Sequence, residues 1–312
     1  MTYADAHPDE VRILMALHQS KPLGNQYVLR WFLFYLGVRL MQDIVYKIQD
    51  LRRLDWNDNS RSSLGTPGCF LKTYEHDGAK RIYYKMSNYD SYRGVFGHES
   101  VNELIVSRVL DVLGIEHVRY RLVHALVEVD HKEFETWLCT SRNFKKSGEQ
   151  KTALDAFYDI MKMEKETPVQ FIDRMGWSTQ ICQMMVVDYL ICNRDRHGAN
   201  VEVLENEIGE IRLAPLFDHG LSLLFSCYDD IQQIREFDVM KDRPVNNFFY
   251  TKSLEENLMF VPANIELHPI KEEDRAYILH GVERILSQEH IEKIWEMLYG
   301  RWKRYEEIQY QK

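Results

Sequence analysis

The chain changes its hydrophobic period once, near residue 150, and that change limits the folds open to it. Before it, FLKTYEHDGAKRIYYKMS reads as two short strand-like runs around an Asp77–Gly78 hairpin signal, and HVRYRLVHALVEVD alternates as a strand does. Between them HESVNELIVSRVLDVLGI has helical spacing, with Val101, Leu104, Ile105 and Arg108 on one side and Gly114 as its stop. WLCTSRNF is a further strand candidate. From about Ala153 the pattern is mostly helical, WSTQICQMMVVDYLICN being the most buried-looking run, with Ser178 as its candidate N-cap. The tail reads as a pair of amphipathic helices. Strands followed by helices predict an α+β architecture: a small strand-rich lobe on a larger helical lobe, with a ligand cleft between. The boundaries expected are a helical extension over 1–60, a small lobe over 61–150 and a helical lobe over 151–312. Within the extension, residues 8–55 read as helical and LDWNDNSRSSLGTPG as a loop.

Charge and cysteines narrow the classes. The 312 residues carry a formal charge of -9, which argues against a chain built to grip nucleic acid. A helix-turn-helix reading of LMALHQSKPLGNQYVLRWFL fails because its second helix is too apolar to read a groove. Cys69, Cys139, Cys182, Cys192 and Cys227 are odd in number and fit neither a disulfide framework nor a zinc ribbon, so a reducing, cytoplasmic home is expected. The N-terminus lacks the pattern of a signal peptide. YVLRWFLFYLGVRLM is interrupted by Arg30 and Arg39 and is too short to span a bilayer, so no membrane association is expected.

The chemistry concentrates in ICNRDRHGAN, directly after the buried-looking helix, and in LAPLFDHGLS, after the predicted hairpin VEVLENEIGEIRL. A hairpin returns the chain to near where it left, which can bring Asp218 beside Asn200. A carboxylate and an amide oxygen make a hard site of the kind Mg²⁺ uses together with phosphate oxygens. A second carboxylate, Asp195, can orient or deprotonate a hydroxyl. That is the equipment of phosphoryl transfer. A charge such as Asp218, set between an aromatic residue and a glycine turn, is rarely buried without a partner.

Phosphoryl transfer also needs a cation for the phosphates. Lys85 ends a strand-like run and Glu103 sits on the next helix, so the two can pair across the small lobe. Upstream, SRSSLGTPGCFLK offers Gly65 and Gly68 with Ser62, Ser63 and Thr66, whose backbone N–H groups can cradle phosphates. The Walker pattern GxxxxGK[ST] is absent from the sequence.

NRDRHGAN followed by LAPLFDHG resembles the HipA-like kinases, of the wider protein-kinase and phosphatidylinositol-kinase-like superfamily. The helix carrying Glu103 is similar to the one that bears that family's lysine-pairing glutamate. The resemblance covers roughly 62–225 and implies a two-lobed protein-kinase-like fold using ATP and Mg²⁺. It implies Asp195 as the catalytic Asp facing the acceptor hydroxyl, and Asn200 and Asp218 as metal ligands. Lys85, partnered by Glu103, would contact the ATP phosphates. The loop holding Gly65, Thr66 and Gly68 would cover the nucleotide, with Ser62, Ser63 and Thr66 as autophosphorylation candidates. His197 would brace its loop, and His219 would be structural. A protein Ser/Thr substrate and an antitoxin or regulatory partner also follow from the resemblance. The chain is shorter than the long HipA toxins, and residues 1–60 match nothing in them.

Three competing readings stay open: a catalytically silent nucleotide-binding module acting through residues 1–60, a lipid or small-molecule kinase, and a metal-dependent hydrolase built on His197, Asp218 and His219. The hydrolase is disfavoured because neighbouring residues on a strand end point apart and zinc needs three convergent ligands.

Overall fold

A computed structural model describes residues 43–56, 70–78 and 80–312. They belong to one compact unit, Asp43–Lys312. Its first part is a six-stranded sheet built from β1 (Ile44–Asp50), β2 (Phe70–Asp77), β3 (Lys80–Asp90), β4 (Gly94–Phe96), β5 (Tyr120–Val129) and β6 (Lys132–Arg142). The order is β1-β5-β6-β3-β2, with β4 also on β3. The β1–β5 pair is parallel and the others antiparallel. Helix α1 (Glu99–Leu113) contacts β3, β5 and β6.

Alternation along the strands sorts side chains between two cores. Tyr84 and Met86 on β3, Ala125 and Val127 on β5, and Leu138 on β6 join Leu51, Trp56 and Leu71 in one. Leu122 joins α1 and the helical part in the other. Lys85, between Tyr84 and Met86, therefore faces α1, and a slip of one residue in β3 would expel it from that face. Helix α1 is buried over nearly its whole circumference, from Glu99 to Leu110. It stops at Gly114, left-handed at φ 76°, where the N–H groups of Gly114 and Ile115 close on the carbonyls of Asp111 and Leu110.

The helical part follows as expected. After β7 (Gln150–Ala153) come α2 (Leu154–Met161), α3 (Pro168–Arg174), α4 (Ser178–Leu190), the two-residue β8 (Asp195–Arg196), β9 (Glu202–Glu205) and β10 (Ile211–Leu213). Then come α5 (Ile231–Glu236), β11 (Asn246–Asn247), α6 (Leu254–Asn257), α7 (Arg275–Ile278) and the long α8 (Gln288–Tyr310). Strands β10-β9-β7 form a small sheet, and β11 pairs with β8 in parallel. The central α4 is in contact with α8, whose Ile294, Trp295, Leu298 and Trp302 belong to the same core. Arg301 of α8, fully buried, donates to the carbonyls of Tyr189, Val239 and Lys241 and so anchors the C-terminal end of α4.

Three expectations are corrected. The helical reading of 8–55 fails at its end, because Ile44–Asp50 is a strand; its β-branched Ile44 and Val45 pair with Leu122 and Val123 of β5, and long-range pairing overrides local periodicity. Most of the expected 1–60 extension lies outside the described residues. The N-cap of α4 is Trp177, while the Ser178 hydroxyl turns to Asp173. The tail holds one long helix, preceded by the short turns Glu272–Asp274, Arg275–Ile278 and Val282–Arg284. No helix among the described residues is long and apolar enough to cross a membrane.

Candidate active site

Lys85 joins three elements. Its ammonium lies 2.7 Å from Glu103 Oε1 and also donates to Asp218 Oδ1. Glu103 is fully buried, and its other oxygen accepts the backbone N–H of His219 at 2.9 Å. The adjacent Asn102 donates to the carbonyls of Gly220 and Ser222, both at 3.0 Å. One turn of α1 thus grips both the strand lysine and the segment 218–222. Gly220 is closely packed there: a Cβ would come 3.1 Å from that of Glu99, which would have to give way slightly.

Electrostatics follow from this packing. Burial opposes the charge on Lys85, but Asp218 and then Glu103 outweigh it and hold the ammonium well above its ordinary range. Burial likewise opposes ionisation of Asp218, yet Lys85 and Lys72 keep its carboxyl well below the usual carboxylate range. His219 is pushed well below its ordinary value by burial and by the nearby Arg196 charge, so it is neutral. Asp218 has φ 61°, a conformation a short polar side chain tolerates better than a branched one.

The loop after α4 is built around Arg196. This side chain is 1% exposed and grips Asp188 of α4 through two hydrogen bonds, 2.9 Å to Oδ2 and 2.8 Å to Oδ1. It also donates to the Asn200 carbonyl at 3.1 Å. Asn193 bridges Asp188 Oδ1 and the Asp195 N–H. Asn200 donates its amide to the Asp195 carbonyl at 2.9 Å, and its Oδ1 accepts no hydrogen bond among the described residues. Asp195 stays partly exposed, with His197 Nε2 3.6 Å from its Oδ1. The main brace is thus Arg196, not the expected His197. A carboxylate on the otherwise apolar face of α4 was the available signal, since a buried Asp188 demands a cationic partner.

The expected residues Lys85, Glu103 and Asp218 come together directly. Asp195 and Asn200 share one loop, and both Asp195 and Asp218 lie close enough to Arg196 to raise its pKa. This donor set suits a hard cation: the Asn200 amide oxygen and the ionised Asp218 are the kind of oxygen ligands Mg²⁺ takes. Ser62, Ser63, Gly65, Thr66 and Gly68 lie outside the described residues. The hydrolase trio does not gather. Among the described residues only His98, Asp229 and His290 bring three such side chains close enough to share an ion.

No protein-family model and no curated protein matches the chain. Among solved structures it is similar to the Helicobacter pylori proinflammatory kinase CtkA, at TM-score 0.57 and 14% identity, over 85% of this chain and 98% of that one. A second match, at TM-score 0.35 and 14% identity, is the Shewanella oneidensis MR-1 toxin–antitoxin system HipA, HipB and operator DNA complex, over 82% of this chain and 60% of that one. The likeness to CtkA establishes the fold as the expected two-lobed, kinase-like α+β architecture.

Proposed function

We propose that the chain is an ATP- and Mg²⁺-dependent phosphotransferase of the HipA-like kind, acting on a serine or threonine hydroxyl of a protein. The observation that carries this is Lys85, on a strand, shared between Glu103 of the neighbouring helix and Asp218 after the hairpin. A cation poised between a helix acid and a metal-binding acid is what a nucleotide phosphate needs. In this reading Lys85 meets the phosphates, and Asn200 and Asp218 hold Mg²⁺, which neutralises phosphate charge when bound. Asp195 receives the acceptor proton, and Arg196 and Asp188 keep its loop in place. Gly65, Thr66 and Gly68 cover the nucleotide, and phosphorylation of Ser62, Ser63 or Thr66 would switch the enzyme off. The protein substrate, an antitoxin or regulatory partner and a cytoplasmic location follow from the family resemblance. The fold shared with a kinase supports the reaction class. The complete acid, lysine and asparagine set speaks against a catalytically silent module.

Calorimetry of Mg²⁺-ATP on the native chain and on Asp218→Asn tests the reading. Metal-dependent binding that weakens in the variant is expected. Asp195→Asn should bind nucleotide normally yet transfer no phosphate to itself or to a mixed protein pool. A native, unphosphorylated chain that binds no nucleotide with Mg²⁺ or Mn²⁺ would sink the proposal.

A further inference from the structure

We propose that His98, Asp229 and His290 form a second metal site, selective for a zinc-type ion, which fastens the start of α1 to the start of α8. The three residues come from distant parts of the chain. His98 is the N-cap residue of α1, Asp229 immediately precedes the α5 cap residue Asp230, and His290 sits in the first turn of α8. Their ligand atoms lie within 4.8 Å of one another. His98 Nε2 is 2.9 Å from Asp229 Oδ1, and the two imidazole rings meet edge to face, with centroids 4.9 Å apart.

The second observation is His290 itself. It is 2% exposed, and its buried Nε2 makes no well-formed hydrogen bond; Nδ1 meets the Ser287 hydroxyl at 3.3 Å, and the Tyr228 carbonyl lies near the ring. A ring nitrogen fixed through Nδ1 and bare at Nε2 is how metal-binding histidines are commonly held. The competing arrangement is a plain His98–Asp229 hydrogen bond with His290 packed against it. That accounts for two of the side chains and leaves the buried Nε2 without a well-formed hydrogen bond, with the Tyr228 carbonyl beside the ring.

Two imidazoles and one carboxylate select a borderline ion over Mg²⁺ or Ca²⁺, and three protein ligands leave a fourth position for water. The Asp229 side chain is 86% exposed, so that position faces solvent. Zinc bonds of about 2.0–2.1 Å put tetrahedral ligand atoms roughly 3.3 Å apart. Closing from the present spacing asks for side-chain rotation, which the exposed Asp229 can supply. Two helix N-termini oppose a cation here, and the Asp229 carboxylate counters them. The bound ion would tie the helix that carries Glu103 to the chain downstream of Asp218.

The test uses the full chain, stripped with chelator and kept in excess Mg²⁺, then titrated with Zn²⁺ and with Co²⁺. One equivalent of Zn²⁺ per chain is expected, with a rise in Tm and a Co²⁺ absorption band of tetrahedral strength. Asp229→Ala, whose side chain lies in solvent, and His98→Gln should each keep the circular dichroism of the native protein and weaken Zn²⁺ binding at least tenfold. Three results would each overturn the proposal: no stoichiometric binding, binding that both variants leave unchanged, or binding lost only in Asp218→Asn. The first two leave the Mg²⁺-ATP reading untouched, and the third would place the ion at Asp218 and so support that reading while sinking this one.

Discussion

Arg196 and Asp188 form a two-bond ion pair, 1% and 3% exposed, that fixes the loop carrying Asp195 and Asn200 to the central helix α4. Removing either partner strands a buried charge, which costs about 3–5 kcal/mol. Asp188→Ala should therefore lower the unfolding free energy by about that amount, read from denaturant midpoints. Arg196→Lys should not rescue the loop, because an ammonium cannot make the paired contacts of a guanidinium. An Arg196→Lys protein with native stability and phosphotransfer would contradict this account.

Glu103→Gln keeps the shape that accepts the His219 N–H but loses the charge facing Lys85. A hydrogen bond to a charged group contributes about 1.5–3 kcal/mol, or roughly 10- to 150-fold. Steady-state phosphotransfer at varied ATP should show kcat/KM reduced by about that factor. Unchanged kinetics would remove Glu103 from the nucleotide site.

Stability should fall on acidification in two stages. His219 is neutral in the fold because burial, and then Arg196, depress its pKa, while the unfolded chain takes up a proton near its ordinary 6.5. Its contribution is full above that value and is lost progressively as pH falls below it. Asp218, also depressed, contributes above its ordinary 3.8 and loses that contribution only in stronger acid. Urea unfolding from pH 8 to pH 3 should show the first stage and the onset of the second, and His219→Gln should flatten the first. A His219→Gln profile as steep as the native one between pH 6.5 and 5 would refute the assignment.

Gly198 lies where an added Cβ would come 2.4 Å from the Cβ of Asp155 and 3.0 Å from its backbone nitrogen. Gly198→Ala must displace the loop from the start of α2. Overpacking of this kind costs about 1–3 kcal/mol. Thermal melts should show the loss, together with reduced phosphotransfer at saturating ATP. Native behaviour in both would mean that the loop has slack the packing does not reveal.

The sequence by itself determined the division into strand-rich and helical parts, because period two and period 3.6 are local properties of neighbouring side chains. It also determined the identity and order of Lys85, Glu103, Asp195, Asn200 and Asp218, whose chemistry is legible from residue type along a hairpin-bearing chain. Packing decided the rest. The strand Ile44–Asp50 exists because β5 offers it a free edge, a partner more than seventy residues away. Lys85 meets Asp218 because α1 grips both β3 and the turn after the hairpin. Arg196 is the brace, and not His197, because only the fold sets it against Asp188 inside the core. The His98, Asp229 and His290 cluster is invisible in sequence, since helix starts and a loop converge there only after the chain has folded. Burial and charge pairing act between residues distant in sequence, and only tertiary structure makes them neighbours.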